Sequence, residues 1–157
     1  MFEKKEHIVS SSFGVCMVEK ITKLVVGREQ QMEYYVLQSV WDRTKKSYIP
    51  VEHHETVLRK PMDESQASEI LETMVINGSD CEENSFLTLQ QARECLESGQ
   101  PERWQKGAEY YLLHENELEQ QIRETLEKVW DHLSGELAFV LKKNRNEIRQ
   151  IVANRIK

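Results

Sequence analysis

The sequence predicts an α+β chain, a small β-module followed by an all-helical domain. Three observations carry that expectation. From His7 to Val57, β-branched, aromatic and other apolar residues alternate at the strand period of two. After Pro61 the apolar residues recur every three or four positions, the period of a helix. Asp63 and Thr88 are each followed three residues later by a Gln, the spacing of a helix-capping box. A chain of 157 residues has room for one or two domains, and the change of period divides this one into residues 1–62 and 63–157.

Within the first part, His7-Ile8-Val9 opens a strand and Ser10-Ser11-Ser12 breaks it. Phe13 to Ile21 is the next strand, with Val15, Met17 and Glu19 on one face and Cys16, Val18 and Lys20 on the other. Gly27 marks a turn. Met32 to Val40 follows, with Tyr35, Leu37 and Ser39 sharing a face. Asp42-Arg43-Thr44-Lys45-Lys46 is a hairpin loop, and Ser47 to Val51 is the returning strand. Pro50 has no N–H and belongs at a sheet edge or a strand end. Several strands in so short a stretch predict a strongly bent sheet, an SH3/Tudor-like β-barrel.

In the second part, Asp63 starts a helix that carries Ile70, Leu71 and Met74. Asn77-Gly78-Ser79-Asp80 is a loop. Thr88 starts a helix with Ala92, Cys95 and Leu96 on its apolar stripe, ending at Ser98-Gly99. Pro101 suits the first turn of a third helix, which carries Trp104, Ala108, Tyr111 and Leu112. Leu118, Ile122, Leu126, Val129 and Leu133 define a long amphipathic helix, with Gly135 as its expected end and Glu136 to Leu141 as a short helix beyond it. Asn144 and Glu147 cap the last helix, which carries Ile148, Ile151 and Val152.

Composition excludes several functions. No apolar run is long enough to cross a membrane, and the start, MFEKKEHIV, lacks the apolar core of a secretory signal. A cytoplasmic, membrane-free protein is expected. Cys16, Cys81 and Cys95 are odd in number and unpaired in spacing, which fits reduced thiols. The adjacent His53 and His54 would point to opposite faces of a strand, so no metal site is expected. GxxxxGK[ST], GxGxxG, GxSxG and HExxH are all absent. Glu52 to Glu55 reads as the polar exit of a strand rather than an acid/base cluster. Neither an enzyme nor a cofactor is expected. Trp104 and Trp130 lie in helical apolar stripes and read as core, whereas Trp41 sits at a hairpin end.

The net charge of −6 is unevenly placed. Residues 1–62 carry 10 basic against 8 acidic side chains, residues 63–140 carry 5 against 18, and residues 141–157 carry 6 against 1. The middle of the chain would repel a phosphate backbone.

Several stretches together resemble the CarD/CdnL family of bacterial transcription regulators, whose N-terminal module also occurs in transcription-repair coupling factors. Phe13-Gly14-Val15-Cys16-Met17-Val18-Glu19-Lys20-Ile21 is similar to the family's HGVGxVexI strand, with Phe13 in the His place. Glu33-Tyr34-Tyr35-Val36-Leu37 is similar to its eYyvL strand. Tyr48-Ile49-Pro50-Val51 with Val57-Leu58-Arg59 looks like its vPv…lR segment. Leu96-Glu97-Ser98-Gly99-Gln100 and Leu133 to Leu141 resemble its LxSGD turn and its L-x-x-ELAxxL run. The resemblance implies a Tudor-like RNA polymerase interaction domain at 1–62 and a helical domain after it. It also implies that the first module pairs a sheet edge with the lobe of the RNA polymerase β subunit. The contacting segment carried over is Ser47, Tyr48, Ile49, Pro50 and Val51, with Lys45 and Lys46 beside it to steer towards acidic surface.

One departure stands out. Family members carry an Asn-Trp-x-Arg-Arg-like motif that wedges a Trp at the promoter bubble and holds phosphates. The corresponding text here is Asn84-Ser85-Phe86-Leu87-Thr88, with Ser in the Trp place and no following Arg. This argues against a promoter-DNA contact. The candidates left for one are Phe86, one residue out of place, and the C-terminal Lys142, Lys143, Arg145, Arg149 and Arg155. The competing reading is a non-enzymatic adaptor that keeps the β-module, has a different partner and makes no DNA contact. A monomer is expected, with a strand-swapped dimer through an exposed edge as the alternative.

Overall fold

The computed structural model describes residues 2–26, 30–52, 56–75 and 88–156. It is an α+β chain made of two compact units, Met1–Pro61 and Met62–Lys157.

The first unit is a five-stranded antiparallel sheet in the order β4-β3-β2-β1-β5. Its strands are β1 (His7–Ser10), β2 (Gly14–Val26), β3 (Gln30–Ser39), β4 (Lys46–Pro50) and β5 (Leu58–Arg59). Ile8, Cys16, Val18, Tyr35, Leu37 and Ile49 form its apolar core, with Phe2, Ile21, Val51 and Leu58 packed against them.

Strand β2 corrects the simple alternation expected over Phe13 to Ile21. Val18 pairs with Leu37 and Lys20 with Val36, so Glu19 is an extra residue, a β-bulge. One inserted residue reverses which side chains face the core. Beyond it Ile21 joins Cys16 and Val18 against the core, and Lys20, expected on that face, is exposed. The strand also runs to Val26 rather than stopping at Ile21, with β3 paired to it as far as Gln30. The expected turn at Gly27 lies outside the described residues.

The hairpin between β3 and β4 forms as expected, except that Lys46 opens β4 rather than closing the loop. Asp42 organises this loop: its Oδ1 accepts the Thr44 N–H at 3.0 Å and the Thr44 hydroxyl at 2.6 Å, while its carbonyl accepts the Lys45 N–H at 3.0 Å. The Thr44 hydroxyl and N–H, and then the Lys45 charge, hold the Asp42 carboxyl below its usual range.

The second unit contains α1 (Glu64–Thr73), α2 (Leu89–Ser98), α3 (Pro101–His114), α4 (Gln120–Leu141) and α5 (Arg145–Ala153), with a 3-10 turn at Glu115–Glu117. Helix α4 is the hub, packing against α1, α2, α3 and α5. The N-caps fall where the sequence puts them, but among the described residues only the Thr88 box is reciprocal: the Gln66 and Glu147 side chains do not return to Asp63 and Asn144. The Asp63 carboxylate accepts the Gln66 N–H at 2.7 Å, and Thr88 and Gln91 make the full reciprocal box. The Gln66 side-chain amide donates to Glu102 Oε1. Asn144 caps α5 through the Asn146 N–H.

Gly135 does not end α4. The helix is continuous to Leu141, because Leu133, Leu137 and Ala138 carry the buried stripe straight through it. The expected short helix from Glu136 is therefore the last part of α4. Its start also moves: Leu118 caps the 3-10 turn, and α4 begins at Gln120. Glu136 is fully buried, and its Oε2 accepts the Met62 N–H at 2.8 Å, which ties the entry of α1 to α4. Trp104 is fully buried and Trp130 nearly so, as expected, and the Trp104 indole donates to the Leu96 carbonyl. The Asn77–Asp80 loop and Cys81 lie outside the described residues.

Candidate protein-interaction edge

The first unit's sheet ends on β4. Lys46 to Pro50 pairs with Gln38 to Tyr34 of β3, and no other described strand lies beyond it. The Ser39 N–H reaches the Lys45 carbonyl and the Val51 N–H reaches the Glu33 carbonyl. In an antiparallel ladder this parity repeats every second residue. Ser47 and Ile49 therefore turn their backbone groups towards β3, while Lys46, Tyr48 and Pro50 turn theirs outward. The outward set comprises the N–H and C=O of Lys46 and Tyr48 and the C=O of Pro50. Pro50 occupies a position whose N–H the ladder does not need, which is why a proline is tolerated there.

The side chains divide the same way. Ile49 is in the core, and Val51 packs against it. Tyr48 is 55% exposed. Lys46 is exposed and bridges to Glu19 Oε2 at 3.1 Å. Lys45 is exposed in the loop, close to the charge of Asp42. Trp41 is partly exposed near the same loop. The segment Lys45 to Val51 thus comes together as one edge, but Ile49 and Val51 serve the core, and what a partner meets is the backbone of Lys46 and Tyr48 with the tyrosine ring. The sequence held one signal for this: Pro50 fixes the outward parity, and Tyr48 shares it.

The basic C-terminal residues are not one free cluster. The Arg149 guanidinium pairs with the Asp131 carboxylate. Arg155 donates to the carbonyls of Leu71 and Met74 at the end of α1. Lys142, in a left-handed conformation at φ 56°, and Lys143 are exposed, and Arg145 is half-buried. Phe86 lies outside the described residues, as do His53, His54 and Glu55. Among the described residues no group of three or more His, Cys, Asp or Glu side chains is placed to hold a metal ion, and no helix is long and apolar enough to cross a membrane.

Residues 2–62 match the family model described as the CarD-like/TRCF RID domain. No curated protein matches the chain.

Proposed function

We propose that this chain, whose residues 2–62 belong to the CarD-like/TRCF RID domain family, adds a strand of the RNA polymerase β subunit to the open edge of β4. That domain family carries an RNA polymerase interaction and a role in transcription. The finer reading is that the chain is a bacterial, non-enzymatic regulator of transcription initiation that needs no cofactor, with a Tudor-like module docked on the β-subunit lobe. The observation that carries it is the β4 edge inside the matched residues, with the outward backbone of Lys46 and Tyr48 flanking an exposed aromatic ring. Main-chain hydrogen bonds give such an edge its affinity, and alternate side chains give it specificity.

The test is Tyr48→Pro. It removes one outward N–H and the ring while leaving the bonds from β4 to β3 in place, as Pro50 already does two residues on. Affinity for purified core RNA polymerase, measured by biolayer interferometry, should fall at least about tenfold, since a lost hydrogen bond and a lost aromatic contact together exceed about 1.4 kcal/mol. Unchanged affinity with an unchanged circular dichroism spectrum would move the contact off β4. A charge at Ile49, by contrast, would enter the core and destabilise the module itself. The acidic stretch 63–140 favours a second reading, an adaptor with another target. Affinity purification that recovers the chain's partners without any polymerase subunit would select it.

A further inference from the structure

Helix α1 ends in a strained turn. Met74, at φ −58° and ψ 126°, is followed by Val75 at φ 54°. These are the dihedrals of a type II turn, whose third position ordinarily holds glycine or asparagine. Val75 is β-branched, and a positive φ crowds its Cβ against the following carbonyl oxygen. An extended backbone would relieve that strain. The turn is nonetheless packed inward, with Met74 fully buried and Val75 nearly so.

Side chains from α3 and from beyond α5 hold this turn closed. Gln105 and Glu109 lie one turn apart on the same face of α3. The Gln105 amide donates to the Thr73 hydroxyl at 3.3 Å, and the Glu109 carboxylate accepts the Val75 N–H at 2.8 Å. Arg155 donates through Nη1 to the carbonyls of Leu71 and Met74. Carbonyls at a helix end need partners from outside the helix, and a guanidinium there also meets the negative pole of the helix dipole. Arg155 itself lies past α5, in tight turns closed by its own N–H to the Val152 carbonyl and by the Ile156 N–H to the Ala153 carbonyl.

The opposing energies are close in size. Left-handed strain at a bulky residue is of the same order as one hydrogen bond to a charged group. The Glu109 bond therefore roughly cancels the strain, and the Arg155 bonds supply the margin. An element held by so thin a margin opens locally before the rest of the fold does. We propose that the end of α1 is a conformational switch, closed while Arg155 is seated on it and open when the segment after α5 is drawn away. Opening lets Val75 relax to an extended backbone, frays the last turn of α1 and uncovers Met74 and Val75. The switch couples the segment after α5 to the exit of α1. It lies wholly in the helical unit and does not depend on polymerase docking at β4.

The experiment is residue-resolved amide hydrogen exchange on the isotope-labelled full chain. In the closed state the Met74 N–H bonds the Ile70 carbonyl and the Val75 N–H bonds Glu109. Arg155→Ala should speed exchange at both amides at least about tenfold, while Leu126 and Leu133 in the middle of α4 keep their rates. Val75→Gly and Val75→Ala both remove the buried methyl groups, but only glycine is free of strain at a positive φ. Combined with Arg155→Ala, Val75→Gly should restore slow exchange at Met74, and Val75→Ala should not. Unchanged exchange in Arg155→Ala overturns the proposal. Equal acceleration at Leu126 and Leu133 also overturns it, since that is the response to losing a merely structural arginine. So does a Val75→Gly that leaves Met74 fast in the Arg155→Ala background, because strain would then not be what opens the turn.

Discussion

Cys16 shows how a single side chain reports its surroundings. It is fully buried between strand neighbours, and burial pushes its thiol up to about 12. A thiol in the unfolded chain ionises near 8.5, so the folded state holds this proton over a range where the unfolded state has lost it. The stabilisation is complete below about pH 8.5 and is lost as pH rises through the folded value near 12. Thermal denaturation followed from pH 7 upward should show a decline beginning as pH passes about 8.5–9 that is shallower in Cys16→Ala. Cys95 is buried as well, its Sγ donating to the Arg103 carbonyl. Both thiols should react with a disulfide reagent only on unfolding, and rapid native labelling of either would contradict this packing. Gly107 depends on the same sulfur. A Cβ there would meet Cys95 Sγ at 2.7 Å, with Val129 and Leu126 behind it. Gly107→Ala should therefore cost about 1–3 kcal/mol by overpacking, despite the better helix propensity of alanine. In a Cys95→Ala background most of that cost should disappear, and a double-mutant cycle from urea melts would measure the coupling.

At the scale of elements, strand and helix identity was legible in the sequence, while parity and extent were not. The strands around Cys16 and Tyr35 and the caps at Asp63, Thr88 and Asn144 were readable because local chemistry fixes them. The bulge at Glu19 was not, because a residue that leaves the ladder looks in sequence like one that stays in it. Gly135 misled for a related reason. Glycine carries a helix penalty of about 1 kcal/mol, and the buried stripe of Leu133, Leu137 and Ala138 on both sides of it outweighs that. Glu136 in the same helix shows what α4 does as an element. Its buried carboxylate receives the first N–H of the α1 entry, at Met62. Glu136→Ala should leave that N–H unmet and open a cavity, costing about 2–5 kcal/mol. Glu136→Gln keeps an acceptor and should cost less. Equal losses for the two in urea melts would show that the acceptor is not what matters.

For the whole molecule the deciding quantity is charge. The chain is −6 overall, and residues 63–140, which include most of the helical unit, set 18 acidic against 5 basic side chains. The basic C-terminal stretch does not offset this with a joint cluster of cations, because Arg149 and Arg155 are engaged with Asp131 and with the α1 carbonyls. Lys142 and Lys143 remain exposed, near the end of α4. Two phosphate contacts give a salt slope of only about −1.8, far below that of a protein making six to ten. A single stacked aromatic adds about 1–3 kcal/mol, too little to hold DNA against a repelling surface. The isolated protein should therefore show no detectable binding to forked promoter DNA at physiological salt, read by fluorescence anisotropy. Phe86→Ala should leave the lifetime of polymerase open complexes nearly unchanged. Submicromolar binding that falls steeply with added salt, or a collapse of that lifetime in Phe86→Ala, would mean that this chain has a DNA wedge at a displaced position rather than none.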